Sequence, residues 1–201
     1  GLEVPLFNIR AIPNPDLRPE TSDGFEAGLR LTGSPVALTA SVFLTEYGDF
    51  IESKVNLGVD PATGVTLFQS QNVAEARIYG AEFDARVDVS AWSPRLAGWS
   101  GRLAGSWIRG DDLTRDVPLN SIDPPRLVLG MRYDAPSTRW GSELALTAVE
   151  AQREVDRSRA DLYRTDGYAT LDWLANVNIT PRLRLNIGLF NLTDTEYIEW
   201  S

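Results

Sequence analysis

Between Tyr79 and Val89 the chain reads YGAEFDARVDV. Every second residue is apolar: Tyr79, Ala81, Phe83, Ala85, Val87 and Val89. The residues between them are Gly80, Glu82, Asp84, Arg86 and Asp88. A period of two belongs to the β-strand, whose side chains leave alternately on opposite faces. One face of this strand is wholly apolar and the other is charged. Its length also exceeds the roughly five or six residues of an ordinary soluble strand.

The same alternation recurs along the chain. Phe25, Ala27, Leu29 and Leu31 oppose Glu26, Gly28 and Arg30. Leu127, Leu129, Met131 and Tyr133 oppose Arg126, Val128, Gly130 and Arg132. Ala169, Leu171, Trp173, Ala175, Val177 and Ile179 form a set after Tyr168, and Leu183, Leu185, Ile187 and Leu189 form another. Residues 36–47, 99–109 and 140–150 fit less cleanly. The total is about eight strands of about ten residues, which suits a large sandwich or a membrane barrel.

The connections separate these two. Short ones fall near Thr32–Pro35, Ser90–Gly98, Asp134–Arg139 and Asn178–Arg182. Long polar ones fall at residues 48–71, 110–122 and 153–165. Short turns at one end and long loops at the other mark an outer-membrane barrel. The expected fold is therefore all-β, an antiparallel up-and-down transmembrane barrel segment. Its apolar face meets outer-membrane lipid and its polar face a wet lumen. A soluble β-sandwich, such as a carbohydrate-binding or adhesin module, is the alternative from another class.

Composition removes other functions. The net charge of -9 argues against nucleic acid as a partner. The chain has no cysteine and no histidine, which removes thiol chemistry, the usual general base and the commonest metal ligand. No run of about 18 apolar residues provides a transmembrane helix. Neither catalysis nor a metal site is expected. Residues 110–116, GDDLTRD, lack the alternating spacing of a calcium loop.

Three motifs carry a family resemblance. NPDLRPETSDGFEAGLR (14–30), QNVAEARIYGAEFDAR (71–86) and GYATLDWLANVNITPRLRLNIGLFNLTDTEYIEW (167–200) resemble the C-terminal part of TonB-dependent outer-membrane receptors. FNIRAIPNPDLRPETS (7–22) and PLNSIDPPRLVLGMRY (118–133) resemble the haem and haemoglobin receptor subgroup. The resemblance covers nearly the whole chain, residues 1–201. It implies part of a barrel of about 22 strands, with the plug domain and the final strand absent. It also implies outer-membrane transport of an iron source powered by TonB through the missing N-terminal part. The transported ligand it implies is haem, with a haemoprotein as its source, and it implies no permanently bound cofactor. A ferric siderophore or another scarce nutrient is the alternative cargo. The subgroup often has a histidine ligand in the loop before the first motif. This chain has none, so the ligand lies upstream of Gly1, or a tyrosine replaces it, or the cargo is not haem.

Candidate contacts follow from position. Asn14, Pro15, Asp16, Leu17, Pro19 and Glu20 form a proline-stiffened rim that withholds amide donors from any ladder. They would touch substrate, or turn chemistry alone accounts for them. Tyr47 and Tyr163 are tyrosines in expected loops, as is Tyr197. Arg153, Arg157, Arg159 and Arg164 would meet haem propionates or a carboxylate siderophore, since guanidinium pairs with carboxylate. Four acids in the same stretch offset them. Glu82 and Asp84 read as lumen charges balanced by Arg86 and neighbouring strands. Trp92, Trp99, Trp140, Trp200, Tyr133 and Tyr168 are expected in interfacial girdles, with Trp107 and Trp173 deeper against lipid.

Overall fold

A computed structural model describes residues 3–4, 8–72, 75–158 and 164–200. In chain order the strands are β1 (Glu3–Val4), β2 (Ile9–Ile12), β3 (Thr21–Leu31), β4 (Val36–Gly48), β5 (Ile51–Val59), β6 (Thr66–Asn72), β7 (Glu75–Asp88), β8 (Trp99–Asp112), β9 (Val117–Pro118), β10 (Arg126–Asp134), β11 (Trp140–Val149), β12 (Tyr168–Thr180) and β13 (Leu183–Leu189). The main sheet runs β3-β4-β7-β8-β10-β11-β12-β13, with β9 appended to β8. Every neighbour pair in it is antiparallel. These eight strands are the ones the alternation predicts.

The register keeps the alternation in phase across the sheet. Leu29, Ala40, Phe83, Gly105, Leu127, Ala148 and Ala169 lie in one row. The next row is Arg30, Thr39, Asp84, Ala104, Val128, Thr147 and Thr170. Slipping one strand by one residue would put its apolar set on the polar side, so each hairpin is held to this pairing. Apolar side chains on the first face stay exposed: Leu129 is 52% accessible, Met131 58% and Ile179 55%. No second sheet covers them among the described residues, which overturns the sandwich alternative.

Two glycines let the sheet close up. A Cβ at Gly80 would lie 2.6 Å from the Trp107 carbonyl oxygen and 3.0 Å from the Phe43 ring. Phe43 thus covers the gap that this glycine leaves on the polar face. Gly98, in the turn between β7 and β8, has φ +86°, and a Cβ there would lie against the Asp134 carbonyl.

Aromatic residues gather near the short-turn end on the apolar face. The Trp99 and Tyr133 rings are 5.1 Å apart, and Tyr133 and Trp140 are 5.2 Å apart. This ladder is the expected girdle. Deeper, the Trp173 indole donates to Ser142 Oγ at 2.9 Å, so its polar group is satisfied on the lipid-facing side. Three expected girdle residues lie outside this ladder. Trp92 stands exposed in the turn between β7 and β8. Tyr168 is on the polar face, stacked 4.1 Å from Tyr197. Trp200 folds back to donate to the Asn120 carbonyl at 2.9 Å.

The first long connection is not irregular throughout. It contains the β5–β6 hairpin, which joins a four-stranded sheet in the order β1-β2-β6-β5, with β2 parallel to β6. Among the described residues the principal buried cluster lies under the loops. Phe50, Ala76 and Leu119 are buried there, with Tyr47, Ile78 and Ile122 packed against them.

Candidate functional site

The loop rim is built around the proline-rich box, and nearly every polar group of the box is used to hold it. Asn14 Oδ1 accepts the Asp16 amide at 3.0 Å, closing an Asx turn. Asn14 Nδ2 donates to the Ser70 carbonyl at 3.0 Å. The Glu20 carboxylate accepts the Ile51 amide at 3.0 Å, and the Arg18 guanidinium pairs with Asp49. Pro15, Leu17 and Pro19 lie between these anchors, where proline's fixed φ keeps the segment out of the ladder.

Asn72 is the hub. Its Oδ1 accepts the Arg18 amide at 2.8 Å. Its Nδ2 donates to the carbonyls of Arg18 at 3.0 Å and Asp49 at 2.6 Å. Asn72 lies at the start of the second sequence motif and Arg18 lies in the first. The two motifs therefore bind each other across 54 residues of chain. At the tip of the β5–β6 hairpin, Asp60 accepts the Thr63 hydroxyl at 2.7 Å and the Ala62 amide at 3.0 Å. These bonds hold its carboxyl below the usual range.

A second lock ties the other two long loops together. The Asp112 carboxylate is fully buried. It receives Arg115 Nε at 2.6 Å and the amides of Thr114 and Arg115 at 2.9 and 3.0 Å. Arg115 Nη1 also reaches Asp156 at 2.7 Å. Asn120 Oδ1 accepts the Asp156 amide at 2.8 Å, and its Nδ2 donates to the Asp156 carbonyl at 3.1 Å. Burial opposes charge on both Asp156 and Arg115, but their bonds outweigh it. Asp156 is held below the ordinary Asp range and Arg115 is raised.

The polar wall below is neutralised locally. Asp84 receives Arg102 at 2.6 and 2.9 Å and faces Arg86 at 3.4 Å. Arg132 pairs with Asp134 and Glu143 and donates to Asn176 at 3.0 Å. Glu82 and Asp84 adjoin a shared groove with Thr39, Ser41 and Arg126 of about 380 Å³. Asp84 is thus a balanced wall charge, as expected.

The expected contact residues do not converge. Tyr47 lies on β4 rather than in a loop, and its ring packs edge-on against Phe50 at 5.0 Å. Arg153, Arg157 and Arg164 are exposed on the third long loop. Arg159 and Tyr163 lie outside the described residues. Sequence reasoning missed Arg115, Asn120 and Asp156, whose partners lie 36 to 41 residues away. The motif that contains Asn72 gives no sign of its partner Arg18. The third motif also folds inward. Asn191 Oδ1 accepts the Thr195 amide at 3.0 Å, its own amide donates to Asp172 at 2.8 Å, and Thr195 Oγ1 donates to the Ala169 carbonyl at 2.9 Å.

Comparison with known proteins bears on this arrangement. The model of the TonB-dependent receptor-like β-barrel matches residues 4–192. A probable hemoglobin and hemoglobin-haptoglobin-binding protein of Haemophilus influenzae is 28% identical over 98% of this chain and 21% of its own length. The hemoglobin-haptoglobin utilization protein B of Neisseria meningitidis serogroup A is 29% identical over 98% of this chain and 27% of its own. The chain thus spans about a fifth to a quarter of the length of the curated relatives it matches. Among solved structures, a copper transporter superposes with a TM-score of 0.79 at 22% identity, over 92% of this chain and 27% of its own. That likeness concerns the fold alone.

Proposed function

The chain belongs to the TonB-dependent receptor-like β-barrel family, and from that premise we propose that it forms wall and loop rim of an outer-membrane receptor importing haem from a haemoglobin-type protein. The observation that carries this reading is the relatives' shared description. Proteins matched over nearly the whole chain are described as binding hemoglobin or its haptoglobin complex. The outer membrane itself follows from the family and agrees with the bare apolar face.

In this mechanism the long loops capture the haemoprotein or the released haem. The plug and the closing strand belong to the receptor outside this chain. TonB draws on inner-membrane energy to rearrange the plug and release the cargo. The chain's own contribution is a stiff rim. The Asn14–Glu20 box and Asn72 fix the first loop, and the Asp112–Arg115–Asp156 lock fixes the second to the third. Exposed Arg153, Arg157 and Arg164 then meet the propionates, which guanidinium groups pair with bidentately.

The test is a haemin titration of the whole receptor in detergent, followed at the Soret band. A saturable, shifted band near equimolar haemin is expected. Replacing Arg153, Arg157 and Arg164 together with Gln should weaken it. No saturable change from a folded barrel would transfer the proposal to a ferric siderophore and leave the transporter reading in place.

A further inference from the structure

The short-turn end differs from the rest of the chain in charge. The connections there, residues 32–35, 89–98, 135–139 and 181–182, contain three arginines and no Asp or Glu. The long connections, residues 49–74, 113–125 and 150–167, contain ten acids against six bases. The turns themselves are therefore cationic in a chain of net charge -9, and of the acids at the adjoining strand ends Asp88 accepts the Ser90 amide and Asp134 pairs with Arg132.

Two of those turns form a groove of about 560 Å³, lined by Arg139, Asn178, Ile179, Arg182, Leu183 and Arg184 among others. Asn178 fixes the frame. Its amide donates to the Arg139 carbonyl and its Nδ2 to the Thr138 carbonyl, both at 2.7 Å. The second turn is closed by the Arg182 amide on Thr180 Oγ1 at 3.2 Å. Arg139 and Arg182 are exposed in the turns, Arg184 lies on the outer strand β13, and none of the three makes an ion pair among the described residues. In this they differ from the arginines of the polar wall, Arg102 and Arg132, which are neutralised.

The groove also sits at headgroup depth. Arg139 directly precedes Trp140, whose ring continues the Trp99–Tyr133 ladder. Such ladders lie at the membrane–water interface. Ile179 and Leu183 extend the apolar face to the lip of the groove, at 55% and 54% accessibility. Unpaired guanidinium groups therefore stand directly beside a surface that meets acyl chains.

We propose that this groove, made by the β10–β11 and β12–β13 turns, is a binding site for an anionic phospholipid of the leaflet on the short-turn side, which is the periplasmic side in outer-membrane barrels. Arg139 and Arg182 hold the headgroup phosphate through charge-assisted hydrogen bonds. Arg184 adds field from the polar side, and Ile179 and Leu183 carry the first acyl carbons. The site rests on the barrel's place in the membrane and not on the identity of the cargo.

The experiment uses the whole receptor, delipidated in neutral detergent, with bound lipid counted by native mass spectrometry. The probes are phosphatidylglycerol and phosphatidylcholine, with inorganic phosphate as competitor. One phosphatidylglycerol should be retained at a concentration roughly tenfold lower than phosphatidylcholine. Arg139→Gln with Arg182→Gln should abolish that preference. Arg139→Lys with Arg182→Lys should keep most of it, and Arg95→Gln, in another turn, should leave it unchanged. Heat-modifiability reports whether each barrel is assembled. If the double glutamine variant fails to assemble, Arg184→Gln is read instead and should lower the preference severalfold. Equal retention of the two lipids, or no response to either set of glutamine variants, overturns the proposal. So does an equal loss in Arg95→Gln, or displacement of the lipid by inorganic phosphate, which would identify a free-phosphate site.

Discussion

At the scale of the residue, the two faces of β7 make opposite demands. Phe83 lies mid-strand on the apolar face, and its ring covers Gly105, where a Cβ would sit 2.8 Å from the ring. An arginine at Phe83 would face hydrocarbon and leave that glycine bare. Phe83→Arg should cost ~2–4 kcal/mol of barrel stability, read as loss of the heat-modifiable species. Glu82→Arg, one residue away on the wet face, should be nearly silent. Asp84→Arg is a poorer control, because it would stand against Arg86 and Arg102. Equal behaviour of Phe83→Arg and Glu82→Arg would mean that the faces are assigned wrongly. Gly98 makes a backbone demand. Its positive φ and the nearby Asp134 carbonyl predict that Gly98→Ala costs at least ~1 kcal/mol, lowering the thermal midpoint without touching either face.

At the scale of the element, the strands were legible and the loops were not. Period-two alternation is a local signal, and the lipid-facing positions of β10, of β12 and of β7 from Tyr79 on are all apolar. The β5–β6 hairpin hides it, because register shifts between Glu52 and Val55 and between Asn56 and Gly58 break the alternation. The loop locks are invisible for a different reason. Nothing near Arg115 in sequence announces Asp156, and nothing near Asn72 announces Arg18. Removing Asn72 tests the first lock. Asn72→Ala deletes three hydrogen bonds at about 1 kcal/mol or more in total. Amide exchange should speed up at Arg18 and in β5 while β7 and β8 stay protected. The second lock has a pH dependence of defined sign. Asp156 is depressed below its ordinary value, so its contribution is complete above the ordinary carboxylate range. It is lost as pH falls through the lower folded value. Protease cleavage of the third loop should therefore stay slow at neutral pH and rise only below about pH 4. In Arg115→Ala the buried Asp112 carboxylate loses its cation, at about 3 kcal/mol, and cleavage should be fast at every pH. Slow cleavage of that variant at neutral pH would show that the lock does not hold the loop.

At the scale of the whole molecule, surface area decides what solvent the chain was built for. It exposes 13328 Å² at 22.2 kDa, where a compact soluble chain of that mass exposes about 9,400 Å². The excess is the cost in water of a sheet with no second layer. Among the described residues its apolar face is bare, and β3 and β13 are open edges with every residue exposed. An uncovered apolar face is at home in lipid, and the open edges are satisfied only when the sheet closes into a barrel. This is why the fold was readable from alternation and connection length, whereas cargo contacts depend on how loops from distant positions meet. The consequence is testable on the chain by itself. Diluted from denaturant into buffer, it should aggregate or remain without cooperative unfolding, with Trp92, Trp140 and Trp107 quenched by aqueous acrylamide. In detergent micelles the Trp107 and Trp140 environments should become protected from acrylamide, while Trp92, 66% exposed in the short turn, should stay accessible. A monomeric, cooperatively unfolding chain in buffer would require a cover for the apolar face, and the lipid-facing assignment would fall with it.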